Sequence, residues 1–204
     1  MEIRWLGQSA FEIKTSTGTI LCDPAGAIVS SGPGHDPNTV LVLSRKEARP
    51  SGITDSMAVF DRPGEYEVAG ICVRGVGTPV SEKVAGRGLN TVFLVEAEGM
   101  TVCSLGLPGV LPDAQALQMI GPVDVVLVRT DGAGMTLEQR ASAVRSLEPK
   151  VVVPNGFDGA TGQSTLTKFL AQLGVKTFEA QPKLAVSKSS LGDAMKVVVL
   201  SAKA

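Results

Sequence analysis

His35 is the only imidazole in the chain, and that count limits the available chemistry more than any motif does. A mechanism or metal centre that needs two or more histidines is excluded. The cysteines Cys22, Cys72 and Cys103 fall inside predicted strands at wide spacing, with no CxxC. That pattern argues against a disulfide framework and against a cysteine zinc site, and each reads as a small buried hydrophobe. No GxSxG marks a serine nucleophile. A serine or cysteine triad would have to recruit His35 from the stretch SSGPGHDPN, a loop in which a solvated histidine is the expected role. Glu65 and Glu67, in PGEYE, alternate on one strand face. An acid–base pair is one reading of them and a solvent-facing strand edge the other. The run Asp131-Gly132-Ala133-Gly134-Met135-Thr136 follows a strand and opens a helix, so its backbone amides could cradle an anion. Leu137 stands where a dinucleotide fingerprint has its third glycine, and no Walker lysine follows. A tight turn before a capped helix is the preferred reading.

The elements that must position these residues change character along the chain. The first half reads as short β-rich segments at 2–6, 10–14, 19–23, 58–60, 65–68, 71–76, 91–96 and 101–105, separated by turn residues. Glu98-Gly99 predicts a hairpin between the last two. The run TVLVL at 39–43 is a strand covered on both faces. The second half alternates. Helices are expected at 111–120, 136–147 and 162–173, with a capping box from Thr136 to Gln139. Strands are expected at 123–128, 151–153, 175–178, 183–186 and 195–200. Strands first and strand–helix alternation later predict two sheets with helices packed outside.

Composition bounds the function classes. A chain of 204 residues fits one domain, read here as 1–204, and buries a core without disulfides or a structural metal. Hydrophobic residues are 44% and charged residues 19%, which excludes a disordered chain. Lys+Arg is 19 and Asp+Glu is 20, a net charge of -1, so a nucleic-acid partner is not expected. No apolar run is long enough to span a bilayer, so no membrane partner is expected either. Glu2 and Arg4 interrupt the first apolar stretch, which is therefore no signal peptide, and a cytoplasmic location is the default expectation.

The order of short motifs resembles the metallo-β-lactamase superfamily, in the small branch of metal-dependent hydrolases that includes ascorbate-6-phosphate lactonases. Trp5-Leu6-Gly7-Gln8-Ser9-Ala10-Phe11 is similar to that family's opening LGHSxF turn, and Leu21-Cys22-Asp23-Pro24 to its ILIDP strand end. Residues 63–71, PGEYEVAGI, resemble its PGEYEvxGI hairpin. Residues 87–93, RGLNTVF, resemble its rGxNtvf strand entry. VDVVLV at 123–128 and PKVVVP at 149–154 resemble two of its later strands. The resemblance covers nearly the whole chain and implies a four-layer αβ/βα sandwich of the α/β (α+β) class.

The same resemblance implies a metal-dependent hydrolase, and the ligand positions depart from it. Where the family has HxHxDH after the TVLVL strand, this chain has Arg45-Lys46-Glu47-Ala48-Arg49-Pro50. The opening-turn histidine is Gln8, the histidine before the rGxN strand falls near Thr78-Pro79, the bridging aspartate at Leu107 and the last histidine at Gly156. Only Glu47 among these could ligate a hard metal. Every ligand position is changed while the β framework reads intact. The expectation is a pseudoenzyme without metal or other cofactor, binding a ligand or a protein. Catalysis by another route, with Glu47, Glu65 or Asp131 as base, is one alternative. A structural subunit of a homo-oligomer is the other. Arg45, Glu47 and Arg49, with Arg129 and Asp131 beside the same cleft, are the candidate residues for a small anionic ligand such as a phosphate or carboxylate.

Overall fold

A computed structural model of the chain describes residues 1–31, 38–45, 49–80, 88–107, 109–131, 134–157 and 159–202. Two mixed sheets carry it. The first contains β1 (Glu2–Trp5), β2 (Phe11–Lys14), β3 (Thr19–Cys22), β4 (Thr39–Val42), β5 (Ala58–Phe60) and β12 (Leu184–Ala185), in the order β12-β1-β2-β3-β4-β5. The second contains β6 (Gly64–Val68), β7 (Ile71–Pro79), β8 (Leu89–Ala97), β9 (Met100–Ser104), β10 (Val125–Arg129), β11 (Val151–Asn155) and β13 (Lys196–Val197), in the order β13-β11-β10-β9-β8-β7-β6.

The alternation of side chains explains the layers. Ile3 and Trp5, Phe11 and Ile13, Ile20 and Cys22, and Val40 and Val42 all join one core with the inner residues of the second sheet. On TVLVL the intervening Leu41 points the other way, packing with Leu21 and with Val29 of the short helix α1 (Gly26–Ser31). This strand is therefore buried on both faces, as its unbroken apolar run requires.

Strands β9, β10, β11 and β13 are mutually parallel and step in one direction across the sheet. Helix α2 (Ala114–Ile120) connects β9 to β10 and packs on β7, and α3 (Leu137–Leu147) connects β10 to β11, packing on β10 and against α4 (Gly159–Gln172). The α3 cap forms as its sequence predicts. Thr136 Oγ1 accepts from the Gln139 amide at 3.2 Å, and Gln139 Oε1 accepts from the Thr136 amide at 2.8 Å. The β8–β9 hairpin turns at Glu98 (φ 54°) and Gly99 (φ 72°), both left-handed as a two-residue type I′ turn demands.

The structure departs from the sequence reading at several points, among them the bounds of α4, β12 and β13. Residues 175–178 form no strand, and the ladder position beside β11 belongs to β13. Helix α2 starts at Ala114 rather than 111, since the Asp113 side chain caps it by accepting from the Ala116 amide at 2.8 Å. Helix α1 is an element the sequence pattern did not announce. Cys72 is exposed on β7, whereas Cys22 and Cys103 are buried. Burial pushes the Cys103 thiol up to about 12 and the Cys22 thiol higher still, so neither is a nucleophile. Among the described residues no helix is long and apolar enough to cross a membrane.

Candidate functional site

Parallel strands bring their carboxyl ends to one edge. Strand β1 and the parallel pair β3 and β4 from one sheet, and β9, β10 and β11 from the other, all end there. Their following loops enclose an open cleft of about 640 Å³. Gln8 and Ser9 come from the loop after β1, Asp23 from the end of β3, Ser44 and Arg45 from the end of β4. Leu107 follows β9, and Arg129 closes β10.

Hydrogen bonds between loops fix this edge. The Gln8 carbonyl accepts from the Trp5 indole at 3.0 Å and from the Gly156 amide at 3.1 Å, tying the first loop to the end of β11. The Ser44 carbonyl accepts from the Thr91 amide at 2.7 Å, joining the two sheets beside the cleft. Asn90, fully buried on β8, holds the Leu105–Leu107 turn from both sides. Its Nδ2 donates to the Leu105 carbonyl at 3.1 Å and to Thr78 Oγ1 at 2.9 Å, and its Oδ1 accepts from the Leu107 amide at 2.8 Å. Gly106 (φ 62°) must be glycine here, because a Cβ would lie 2.5 Å from both Asn90 Oδ1 and Ser44 Cβ.

The candidate residues divide. Arg45 and Arg129 line the cleft. Asp131 meets Arg129 in a forked pair, accepting from Nε at 2.8 Å and from Nη2 at 2.6 Å. Arg140, buried on α3, donates to the Arg129 carbonyl at 3.0 Å and fixes that strand end. Arg49 does not reach the cleft. It is exposed, lines a separate hollow and pairs with Asp61, just after β5, at 3.3 Å. Glu47 and His35 lie outside the described residues. Glu65 and Glu67 are exposed on the edge strand β6 and line a different hollow. For the glycine loop, two amides at the start of α3 are used by its own cap.

Asp23 is the residue that sequence reasoning passed over, although its Asp-Pro strand end was visible. It is half-buried on the cleft wall in a left-handed conformation (φ 43°). Desolvation raises its carboxyl above the ordinary range. The Ser44 amide donating to Oδ1 at 2.7 Å, the Ser44 hydroxyl and the charge of Arg129 oppose that rise. A carboxyl with a raised folded-state value loses stability as pH climbs from its unfolded value, about 4, through the folded one. Asp23→Asn keeps an oxygen for the Ser44 amide and removes the buried charge. Its melting temperature is expected to exceed that of the native chain at pH 7 to 8 and to match it below about pH 3. Equal melting curves across that range would contradict the raised value.

Among the described residues, those that the family resemblance puts at ligand positions do not fit a metal. Gln8, Arg45, Thr78, Leu107 and Gly156 replace the expected donors. Thr78 is buried and engaged, donating to the Asn90 carbonyl at 3.2 Å. At Gly156 (φ 71°) a Cβ would lie 2.1 Å from Asp131 Oδ1. Among the described residues no three His, Cys, Asp or Glu side chains gather as a metal site.

Comparison with known proteins agrees with this fold. A family model described as a beta-lactamase superfamily domain matches residues 2–155. A solved structure from Thermotoga maritima, assigned as a Zn-dependent hydrolase of the metallo-beta-lactamase superfamily, is 26% identical. It covers 99% of each chain at a TM-score of 0.75. Igni18, a metallo hydrolase from the archaeon Ignicoccus hospitalis, is 16% identical over 91% of this chain and 99% of its own, with a TM-score of 0.61. An isothiocyanate hydrolase from Delia radicum gut bacteria is 14% identical over 92% and 99%, also at 0.61. These last two share the fold. No curated protein sequence matches the chain.

Proposed function

The chain belongs to the beta-lactamase superfamily, with the metallo-β-lactamase fold, and on that premise we propose that it is a non-catalytic member whose former metal cleft binds a small anion. One observation carries the reading. At the edge where the family assembles its metal ligands, the cleft is open and lined by two guanidiniums, Arg45 and Arg129, with Gln8, Ser9 and Ser44 beside them. A metal there would supply hydroxide and polarise a scissile bond, and this donor set is the wrong chemistry for holding one. Guanidinium groups bind carboxylate and phosphate through paired N–H donors. That the cleft is open, with charged and polar side chains on part of its wall, also speaks against a role in which this face has collapsed into an apolar interface. Phe157, which would fill such a face, instead packs on Trp5 at 4.3 Å in the core.

Melting curves with phosphate, sulfate, sugar phosphates and simple carboxylates, each against matched chloride, test the proposal. At 100 times its dissociation constant a ligand adds about 2.7 kcal/mol. Arg45→Ala and Arg129→Ala are each expected to weaken binding at least tenfold, the loss of a charge-assisted hydrogen bond. Arg49→Ala, outside the cleft, is expected to leave it unchanged. The reading fails if no anion raises the melting point beyond chloride, or if both cleft substitutions leave the shift intact.

A further inference from the structure

Asp23 puts a carboxyl on the wall of the same cleft that holds the guanidiniums. Among the described residues the ionisable side chains lining it are Asp23, Arg45 and Arg129, so Asp23 is its one acid. The strand ends fix that acid in place. The Asp23 amide donates to the Val42 carbonyl at 2.9 Å, and the Ser44 amide, just past β4, donates to Asp23 Oδ1 at 2.7 Å. Arg129, closing β10, acts on the carboxyl through its charge and is itself held by Asp131. Arg45 follows Ser44, whereas Gln8 and Ser9 from the β1 loop and Leu107 from the β9 turn bring no charge. The adjacent thiol of Cys22 is buried, which pushes it far up and keeps it neutral.

An anion seated beside this carboxyl acts on it twice. Its charge repels the ionised form, and by meeting Arg129 it offsets the cation that favours that form. Both effects favour the protonated carboxyl, in the same direction as the desolvation that already raises it. The guanidiniums keep their charge at every pH of interest, so the acid is the group in the lining that responds. The coupling is reciprocal: an anion that promotes protonation of Asp23 is bound more tightly once Asp23 is protonated. Affinity is full below the Asp23 value and falls as pH climbs through it, by at most about tenfold per pH unit for a single proton.

We propose that the cleft binds its anion together with a proton carried by Asp23, so that acidification tightens binding. This rests on the anion-binding reading and adds the regulation of that site. Calorimetric titration with sulfate from about pH 5 to about pH 8.5 tests it, because sulfate keeps its own charge there while a raised carboxyl titrates. Repeating each titration in buffers of different ionisation enthalpy counts the protons exchanged. The native chain is expected to bind sulfate about tenfold more tightly at the acid end and to take up part of a proton per sulfate in between. Asp23→Asn is expected to bind at every pH about as the native chain does at the acid end, with no proton uptake. His35→Gln, which removes the only imidazole, is expected to keep the native profile. Ser44→Ala removes a hydroxyl that favours the ionised carboxyl and is expected to move the midpoint to higher pH. It also serves if the Asn variant does not fold. Sulfate binding that ignores pH, that releases protons, or that keeps the native profile in Asp23→Asn overturns the proton coupling but leaves anion binding standing. Where sulfate binds at no pH the coupling fails, and the anion reading falls with it once phosphate and simple carboxylates are silent too.

Discussion

Asn90→Ala is expected to cost about 3 to 4 kcal/mol of folding stability, although Asn90 itself does not line the cleft. The side chain is fully buried and serves three partners: Thr78 Oγ1, the Leu105 carbonyl and the Leu107 amide. Truncation strands those groups out of reach of good replacements, at about 1 to 3 kcal/mol each before relaxation, and it opens a cavity. Urea unfolding gives the measurement, with an unchanged slope showing that the native state, not the denatured ensemble, was altered. Thr78→Val removes one contact of the network and is expected to cost less than half as much. Because the same amide pins the Leu107 turn, Asn90→Ala is also expected to weaken ligand binding. A loss under about 1 kcal/mol would mean that the turn is held by something else.

Gly156→His, which puts a histidine where the family resemblance expects the last one, is expected to destabilise by about 3 kcal/mol and to recruit no metal. Two terms add. Gly156 is left-handed (φ 71°), which costs a non-glycine residue roughly 1 to 2 kcal/mol. Its new Cβ would also overlap Asp131 Oδ1, at 2.1 Å, and displace the carboxylate that holds Arg129. Elemental analysis after dialysis is expected to find no stoichiometric zinc, iron or manganese in either the native chain or the variant. In Gly156→His/Asp131→Ala the overlap is gone, so the double variant is expected to be more stable than the sum of the single losses predicts. About one metal per chain, or a variant as stable as the native chain, would refute this account.

These two residues also show where sequence reading stops. Signals that are local in the chain translated directly into structure. The Thr136–Gln139 box, the Glu98-Gly99 turn and the unbroken TVLVL run each describe an environment set within a few residues. The cleft is not local. Its residues meet only because strands distant in sequence end at one edge, and the family resemblance, not their chemistry, pointed to that edge. Arg45 and Arg49 look equivalent in sequence, four positions apart, yet one lines the cleft and the other pairs with Asp61. Asn90 reads as an ordinary polar residue at a strand entry until its three partners are known. Residues 175–178 have the composition of a strand yet form none, while the two-residue β13 pairs with β11, a partnership that no window on the sequence contains. Helix α1 is six residues long and is held by packing on Leu21 and Leu41 rather than by its own propensity.

Trp5 is the chain's only tryptophan, and its indole N–H is bonded to the Gln8 carbonyl, the same oxygen that ties the β1 loop to Gly156. Its ring is 2% exposed and packed on Phe157. All indole emission therefore originates from one dry position behind the cleft wall. Opening of that edge would expose the ring to water and shift its emission to longer wavelength, while the far-ultraviolet circular dichroism of the two sheets stayed constant. The molecule thus carries an intrinsic optical sensor that separates local loosening of the cleft from global unfolding, with no label attached.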